Sequence, residues 1–332
     1  MDGETFSYGP AGFFRPGLFF ARDFRGRWCD RAFCTDDVGS WTDVGTGYSG
    51  DGAAVGLRYF APAPDLRRHL SSYYIFRADV AQMSDVVRAD VAQLRFMVSG
   101  TGRYQFVDGR RIETPEVSLL GPTTAASRFD VTGPVLVFGV GILPTGWAAL
   151  VEEDASLFSD SVVDAVDVFG GLLEDALDAM RFDGRASRMI AVIDAVMRGL
   201  LADAVDAPYW FTRLTDHWLT DAPSPSIDAL VSESGVSARQ VERLARRIYG
   251  APPKLLARKY RALRAAARFA AAGTGWAEAA GDAFYDQSHF IREFKRFTGH
   301  TPLQFQRAPT PVTRLTLRRR ELIDMPRLTL LS

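Results

Sequence analysis

The 332-residue chain holds two cysteines and four histidines, and both scarcities exclude chemistry. Cys29 and Cys34 stand in a Gly-rich stretch with four residues between them, a spacing that fits neither a zinc knuckle nor a redox pair. They read as free thiols of a reducing compartment. The histidines are His69, His217, His289 and His300, none within Val86–Leu143, where strand signals concentrate. A metal-dependent cupin needs clustered imidazoles with carboxylate support, so that enzyme class lacks its ligands here. His217, between Asp216 and Trp218 on a helical pattern, reads as structural. A nucleophile elbow, a Walker loop and a dinucleotide-binding glycine motif are all missing from the sequence. No apolar run reaches the roughly 18 residues that cross a bilayer. Arg15, Asp23 and several Gly and Pro interrupt the first 30 residues, which leaves no signal-peptide core. The expectation is a cytoplasmic protein that is not an enzyme, uses no cofactor or metal and does not meet a membrane.

Composition is globular, at 47% hydrophobic and 24% charged, and the length suffices for two domains. The net charge of −1 conceals an asymmetry. Residues 223–332 carry 19 Lys and Arg against 9 Asp and Glu, a net of +10, whereas residues 1–222 carry a net of −11. One part is suited to a polyanion and the other is not.

Residues 1–56, with stretches such as VGTGYSGDGAA, show no period and read as a poorly structured extension. From Val86 to Leu143 short strands are cut by turns: QLRFMVS, RYQFV, the turn Asp108-Gly109, RRIET, VSLL, SRFDV and VLVFGVGI. This spacing predicts a compact antiparallel barrel or sandwich. Arg95, Arg103, Tyr104 and Arg128 lie on these strands, and those that face inward would line a polar or anionic ligand site. Ser187–Ala204 predicts a helix whose stripe of Ile193, Met197 and Leu200 packs on the barrel or on a second subunit. Residues 309–332 mix Pro with charge and read as a loose tail.

Two segments 49 residues apart carry the functional signal. In Ser237–Gly250, SARQVERLARRIYG, the apolar stripe is Val241, Ala245 and Ile248; in Asp286–Gly299, DQSHFIREFKRFTG, it is Phe290, Phe294 and Phe297. Each starts on a capping residue and ends in Gly-x-x-Pro, the pattern of a left-handed C′ residue followed by a helix start. A shorter helical run precedes each, IDALVSESG and WAEAAGDA, so each pair reads as a helix-turn-helix whose second helix enters a major groove. Arg239, Gln240, Gln287, Ser288 and His289, near the helix N-termini, are the candidates for base contact. Arg243, Arg246, Arg247, Arg292, Lys295 and Arg296 complete the basic fronts, with phosphates as their expected partners. Lys254–Ala272 between the units predicts a helix of roughly 28 Å. Successive major grooves on one side of a duplex are ~34 Å apart, so a rigid connector of this length holds both recognition helices on one face.

The run from Pro208 to Arg307 resembles the DNA-binding domain of the AraC/XylS family of bacterial transcription regulators. The resemblance is carried by GVSARQVERLARRIYG, by the spacing from Pro253 to Ala265 and above all by FYDQSHFIREFKRFTGHTP. Two departures stand out. Ala245 replaces a large aromatic, and the glycine expected before the aromatic of the second turn is missing, with Ala283 in its place. The resemblance implies an α+β protein of two domains. Residues 57–207 would be a cupin-like antiparallel β-barrel with trailing helices, for effector binding or dimerisation, and residues 208–308 an all-α tandem helix-turn-helix domain. It also implies promoter or operator DNA, a small-molecule effector, a homodimer and RNA polymerase as partners, with activation or repression both open. The alternatives are a DNA-repair or modification protein carrying the same unit beside a reactive Cys29 or Cys34, and a cupin-type enzyme.

Overall fold

In the computed structural model, residues 47–48, 54–202, 204, 207–221, 225–272, 286–322 and 325–331 are described. Cys29, Cys34, the WAEAAGDA run and Ala283 lie outside them. Among the described residues nine strands form one antiparallel sheet: β1 (Gly47–Tyr48), β2 (Ala54–Phe60), β3 (Leu70–Ala78), β4 (Gln82–Val87), β5 (Ala92–Gln105), β6 (Arg111–Glu113), β7 (Val117–Leu120), β8 (Ser127–Ile142) and β9 (Val162–Asp164). The order is β1-β2-β3-β8-β5-β7-β9, with β4 added to β8 and β6 to β5. The barrel is thus an open one. Residues 47–48 and 54–56 belong to strands, not to the unstructured extension expected up to residue 56.

β5 and β8 run side by side along nearly their whole length and hold the sheet together. Each reads in the sequence as two short strands because of Gly100 and Gly133-Pro134. Both glycines instead sit where the β5–β8 register shifts, and a Cβ on Gly133 would stand 3.0 Å from the Gly100 Cα. Gly100 has φ +81, and a Cβ there would stand 2.7 Å from Val135 Cγ2, so the pair bends the two strands without ending them. Asp108-Gly109 does form the hairpin turn between β5 and β6, with Gly109 at φ +86 and Asp108 Oδ1 accepting from Arg110 N at 3.0 Å.

Both faces of the sheet are covered, which is why its strands do not alternate cleanly in polarity. On one face Tyr73, Ile75, Phe96, Phe138 and Val140 pack against Trp147, Leu177, Met180, Met189, Ile193 and Met197. These last residues belong to helices Pro144–Leu150, Leu172–Phe182 and Ala186–Ala202. The stripe of the third helix therefore meets its own sheet, and the Tyr73 hydroxyl donates to Asp194 Oδ1 of that helix at 2.7 Å. On the other face Tyr74, Phe76, Tyr104, Phe129, Val131 and Val137 surround a cavity.

The C-terminal region comprises helices Tyr209–Asp221, Ile227–Ser234, Ala238–Tyr249, Pro253–Ala272, Gln287–Thr298 and Pro302–Arg307. Residues 309–322 and 325–331 are not the loose tail that the composition of 309–332 suggests. Pro311–Thr316, the 3-10 turn Leu317–Glu321 and Arg327–Leu331 pack back onto the protein. Val312 and Leu315 close the cavity face of the sheet, and Leu328 joins the core of the first helix-turn-helix unit. The tail's charge is accommodated because Arg319 finds a buried carboxylate, Asp90, between β4 and β5, a partner that tail composition cannot reveal.

Candidate nucleic-acid interface and the cavity behind it

Both recognition helices are capped as their sequences require. Ser237 Oγ accepts from Gln240 N at 3.3 Å, Asp286 Oδ1 accepts from His289 N at 2.7 Å, and Gly250 and Gly299 close the helices at φ +77 and +82. Val241, Ala245 and Ile248 are buried in the first, Phe290, Phe294 and Phe297 in the second. The opposite stripe faces outward: Arg239, Gln240, Arg243, Arg246, Arg247, Gln287, Ser288, Arg292, Lys295 and Arg296 are exposed and His289 is half-buried.

The cations on these fronts are not equivalent. Arg246 is tied to Glu242 at 2.9 Å one turn away, and Arg247 leans to Asp154 at 3.9 Å. Among the described residues Arg239, Arg243, Arg292 and Lys295 form no ion pair, so their charge is available to phosphate or base edges. Glu293 breaks the greasy stripe of the second helix yet is buried, because Arg258 of the connecting helix grips both its oxygens at 2.7 Å. Burial pushes the Glu293 carboxyl up, and that guanidinium, with smaller help from His289 and Arg296, more than reverses it.

The first unit rests on a second buried acid that its motif does not announce. Asp216 lies against the Tyr249 hydroxyl at 2.6 Å, and desolvation pushes its pKa up to about 7 although that hydrogen bond favours the charged form. A carboxyl raised in the folded state binds its proton there at a pH where the unfolded chain has lost it, so stability falls as pH rises from about 4 to about 7. Asp216→Asn is expected to stabilise the protein by about 2 to 4 kcal/mol at pH 8 and to flatten that window. Urea denaturation at pH 5 and pH 8 checks both.

The ends of both recognition helices are seated on the sheet domain. Ala89 N donates to Phe297 O and Ala126 N to Arg296 O, each at 2.8 Å, and Ser159 Oγ donates to Gly250 O at 2.8 Å. The two C′ glycines are therefore required twice over. Besides the positive φ, a Cβ at Gly250 would come within 2.5 Å of Pro122 Cγ, and one at Gly299 within 2.2 Å of Val86 Cγ1. The contacts lie at the helix C-termini and leave the N-terminal ends, where bases are read, uncovered.

At the centre of this seam sits Asp90. Its carboxylate accepts from Arg319 Nη1 and Nη2 at 3.0 and 2.7 Å and from Gln93 Nε2 at 2.9 Å. Its carbonyl accepts from Lys259 Nζ of the connecting helix at 2.6 Å, and Thr123 O takes a second Lys259 bond at 2.9 Å. Burial lowers the Lys259 pKa to about 8, with Asp90 opposing the shift. Gln93 Oε1 in turn accepts from Arg95, which enters the cavity. One bonded chain thus runs from the cavity to the helix that joins the two recognition units. Of the sequence candidates for a ligand site, Arg95 and Tyr104 line the cavity and Arg103 stands at its exposed rim. Arg128 does not belong: it alternates with the buried Phe129 and points to solvent. His217 is exposed, with Nδ1 2.9 Å from Asp221 Oδ2, and takes no part in packing. Asp90, Gln93, Lys259 and Arg319 carry no sequence signal, since their pairings span long separations.

No helix of the described residues is long and apolar enough to cross a membrane. No curated protein matches the sequence. Solved structures similar to it include apo ToxT from Vibrio cholerae (TM-score 0.40, 10% identity, covering 70% of this chain and 99% of that one). ToxT bound to (E)-4-(8-methylnaphthalen-1-yl)but-3-enoic acid gives a TM-score of 0.39 at 10% identity, over 68% of this chain and 98% of that one. The AraC-like transcriptional activator CuxR gives 0.32 at 16% identity, over 61% and 78%. Residues 230–308 match the family described as a helix-turn-helix domain. With its paired capped helices and basic fronts, that segment is a helix-turn-helix domain.

Proposed function

We propose that the chain reads two successive major-groove segments of one duplex, with Arg239 and Gln240 on one recognition helix and Gln287, Ser288 and His289 on the other facing base edges. The supporting observation is that two capped helices with exposed basic fronts flank one continuous 20-residue connector. Arg243 and Arg292 sit mid-helix without ion pairs among the described residues and neutralise phosphates. The sheet cavity takes a small effector, the protein acts as a homodimer, and it works by binding alone, with RNA polymerase as the downstream partner. Residues 57–207 form the sensor and 208–308 the DNA-binding domain in this reading, and residues 311–321 add to the sensor's wall.

Fluorescence anisotropy of the full chain against a set of duplexes tests this across a salt series. Sequence-dependent affinity with a steep salt slope is expected. Arg243→Ala and Arg292→Ala should each weaken binding by about tenfold and reduce the salt slope by about one, with melting temperature unchanged. Equal affinity for every duplex would leave only charge attraction, and a lowered melting temperature would place these side chains in the fold instead.

A further inference from the structure

We infer that Ile291 and Glu242 are specificity-determining residues of the two recognition helices: Ile291 rests on a thymine methyl, Glu242 accepts from a cytosine amine, and the duplex carries two unlike half-sites. The inference rests on the proposed function, since it names bases that the same two helices meet. Neither residue belongs to the basic fronts. Ile291 is an exposed apolar side chain on one cationic surface and Glu242 an exposed acid on the other. A surface that only neutralised phosphates would gain from a cation at either position.

The two residues occupy the same place in their units. They are 49 positions apart, the offset that relates Val241 to Phe290. Each lies one turn past the first residue of its helix and one turn before a front cation, Arg246 or Lys295. The row Gln287, Ile291, Lys295 is exposed throughout. Among the described residues Ile291 joins none of the hydrophobic clusters, although Phe290 and Phe294 of the same helix are fully buried. Glu242 lies along its helix against Arg246, whose Nε and Nη2 donate to Oε1 at 3.2 and 2.9 Å. Both bonds fall on one oxygen, so Oε2 keeps its capacity to accept.

The chemistry of the major groove selects the bases. The thymine C5 methyl is the apolar group that base edges present there, so it is the one an exposed isoleucine gains by touching. Gln287, one turn before Ile291, suits adenine N6 and N7, and both residues of that row therefore favour A·T pairs. The Glu242–Arg246 pair asks for something else. It offers a forked donor beside an acceptor, and a G·C pair answers with two adjacent acceptors, N7 and O6, beside the N4 donor. An A·T pair has its donor between two acceptors and cannot meet the fork in this way. The first helix thus reads a G·C pair where the second reads an A·T pair, about one helical turn away. The two ends of the target are distinguishable, and one chain lies on it in one direction.

Selection by the full chain from a duplex library with a random core gives the preferred site. Each thymine of that site is then replaced by deoxyuridine, which removes only the C5 methyl. One replacement is expected to weaken binding about fourfold, and the same replacement should leave the affinity of Ile291→Ala unchanged. Glu242→Ala should keep this thymine effect and lose about tenfold of discrimination at one G·C pair roughly 10 bp away. Both variants should melt with the wild-type chain. A sequence-specific site in which no deoxyuridine matters, or in which Ile291→Ala keeps the full effect, overturns the role of Ile291 while the proposed function stands. Unchanged G·C discrimination in Glu242→Ala overturns the role of Glu242. No preferred site at all removes the proposed function and this inference with it. Should Ile291→Ala fail to fold, Ile291→Gln takes its place in the deoxyuridine comparison.

Discussion

Asp90→Asn is expected to destabilise the protein by about 5 kcal/mol and Arg319→Leu by about 3, and the asymmetry is the point of the pair. The two side chains are 7% and 4% exposed and share two hydrogen bonds, so breaking the pair leaves the survivor without access to water. The survivors differ in their surroundings. Burial pushes the Asp90 carboxyl up, but the guanidinium of Arg319, with smaller help from Arg88 and Lys259, holds it below the usual carboxylate range. When Arg319 is gone, Arg88 and Lys259 still compensate the carboxylate. When Asp90 is neutral, Arg319, Arg88 and Lys259 face one another around an amide, with like charges in a low dielectric. Because the carboxyl is depressed in the folded state, its contribution is full above the unfolded carboxylate pKa and is lost as pH falls through the folded value. Urea denaturation at pH 7 measures both variants. Equal costs, or a larger loss in Arg319→Leu, would mean that Arg88 and Lys259 do not share this carboxylate.

What the sequence reveals follows from how local each cause is. The recognition helices are legible because caps, stripe and C′ glycine all lie within one short segment, and each part constrains the same backbone. The strands are half legible. Gly100 and Gly133-Pro134 carry the chemistry of turns, and only the long-range pairing of β5 with β8 converts them into bends of continuous strands. β3, LSSYYIFRA, is missed because Tyr73 and Ile75 face the helices while Tyr74 and Phe76 face the cavity, so period two is absent. Arg95 and Arg128 look alike in the sequence, and only strand register sends one inward and the other out. The seam around Asp90 is invisible for a different reason: Lys259, Arg319 and Asp90 are charged residues that composition assigns to the surface. They come inside only because the Asp90 carboxylate pairs with Arg319 and its carbonyl accepts from Lys259, across separations of 229 and 169 residues.

Phe294→Ala is expected to cost about 3 to 5 kcal/mol and to weaken DNA binding through the second unit alone. The ring is fully buried and sits among Phe290, Phe269 and Phe305 at centroid distances of 5.4, 6.2 and 5.3 Å. Among the described residues the same small core also holds Ala265 and Ala266, with Ala270 and Leu317 partly buried against it. The first unit shows what filling would take. There the equivalent position is already Ala245, fully buried, and the volume comes from Phe211, Trp218, Tyr249 and Tyr260 in the same core. The large residues around Phe294 are packed against its ring, so truncation leaves a cavity among them and forfeits aromatic pairs worth about 0.5 to 1.5 kcal/mol each. The cores of the two units are separate clusters, and hydrogen exchange should therefore speed up over residues 287–298 while residues 238–249 keep their protection. DNA affinity should fall together with the salt slope, because one of the two basic fronts is no longer held in place. Exchange rising equally in both recognition helices would show that the units unfold together and that the separation of their cores has no energetic meaning.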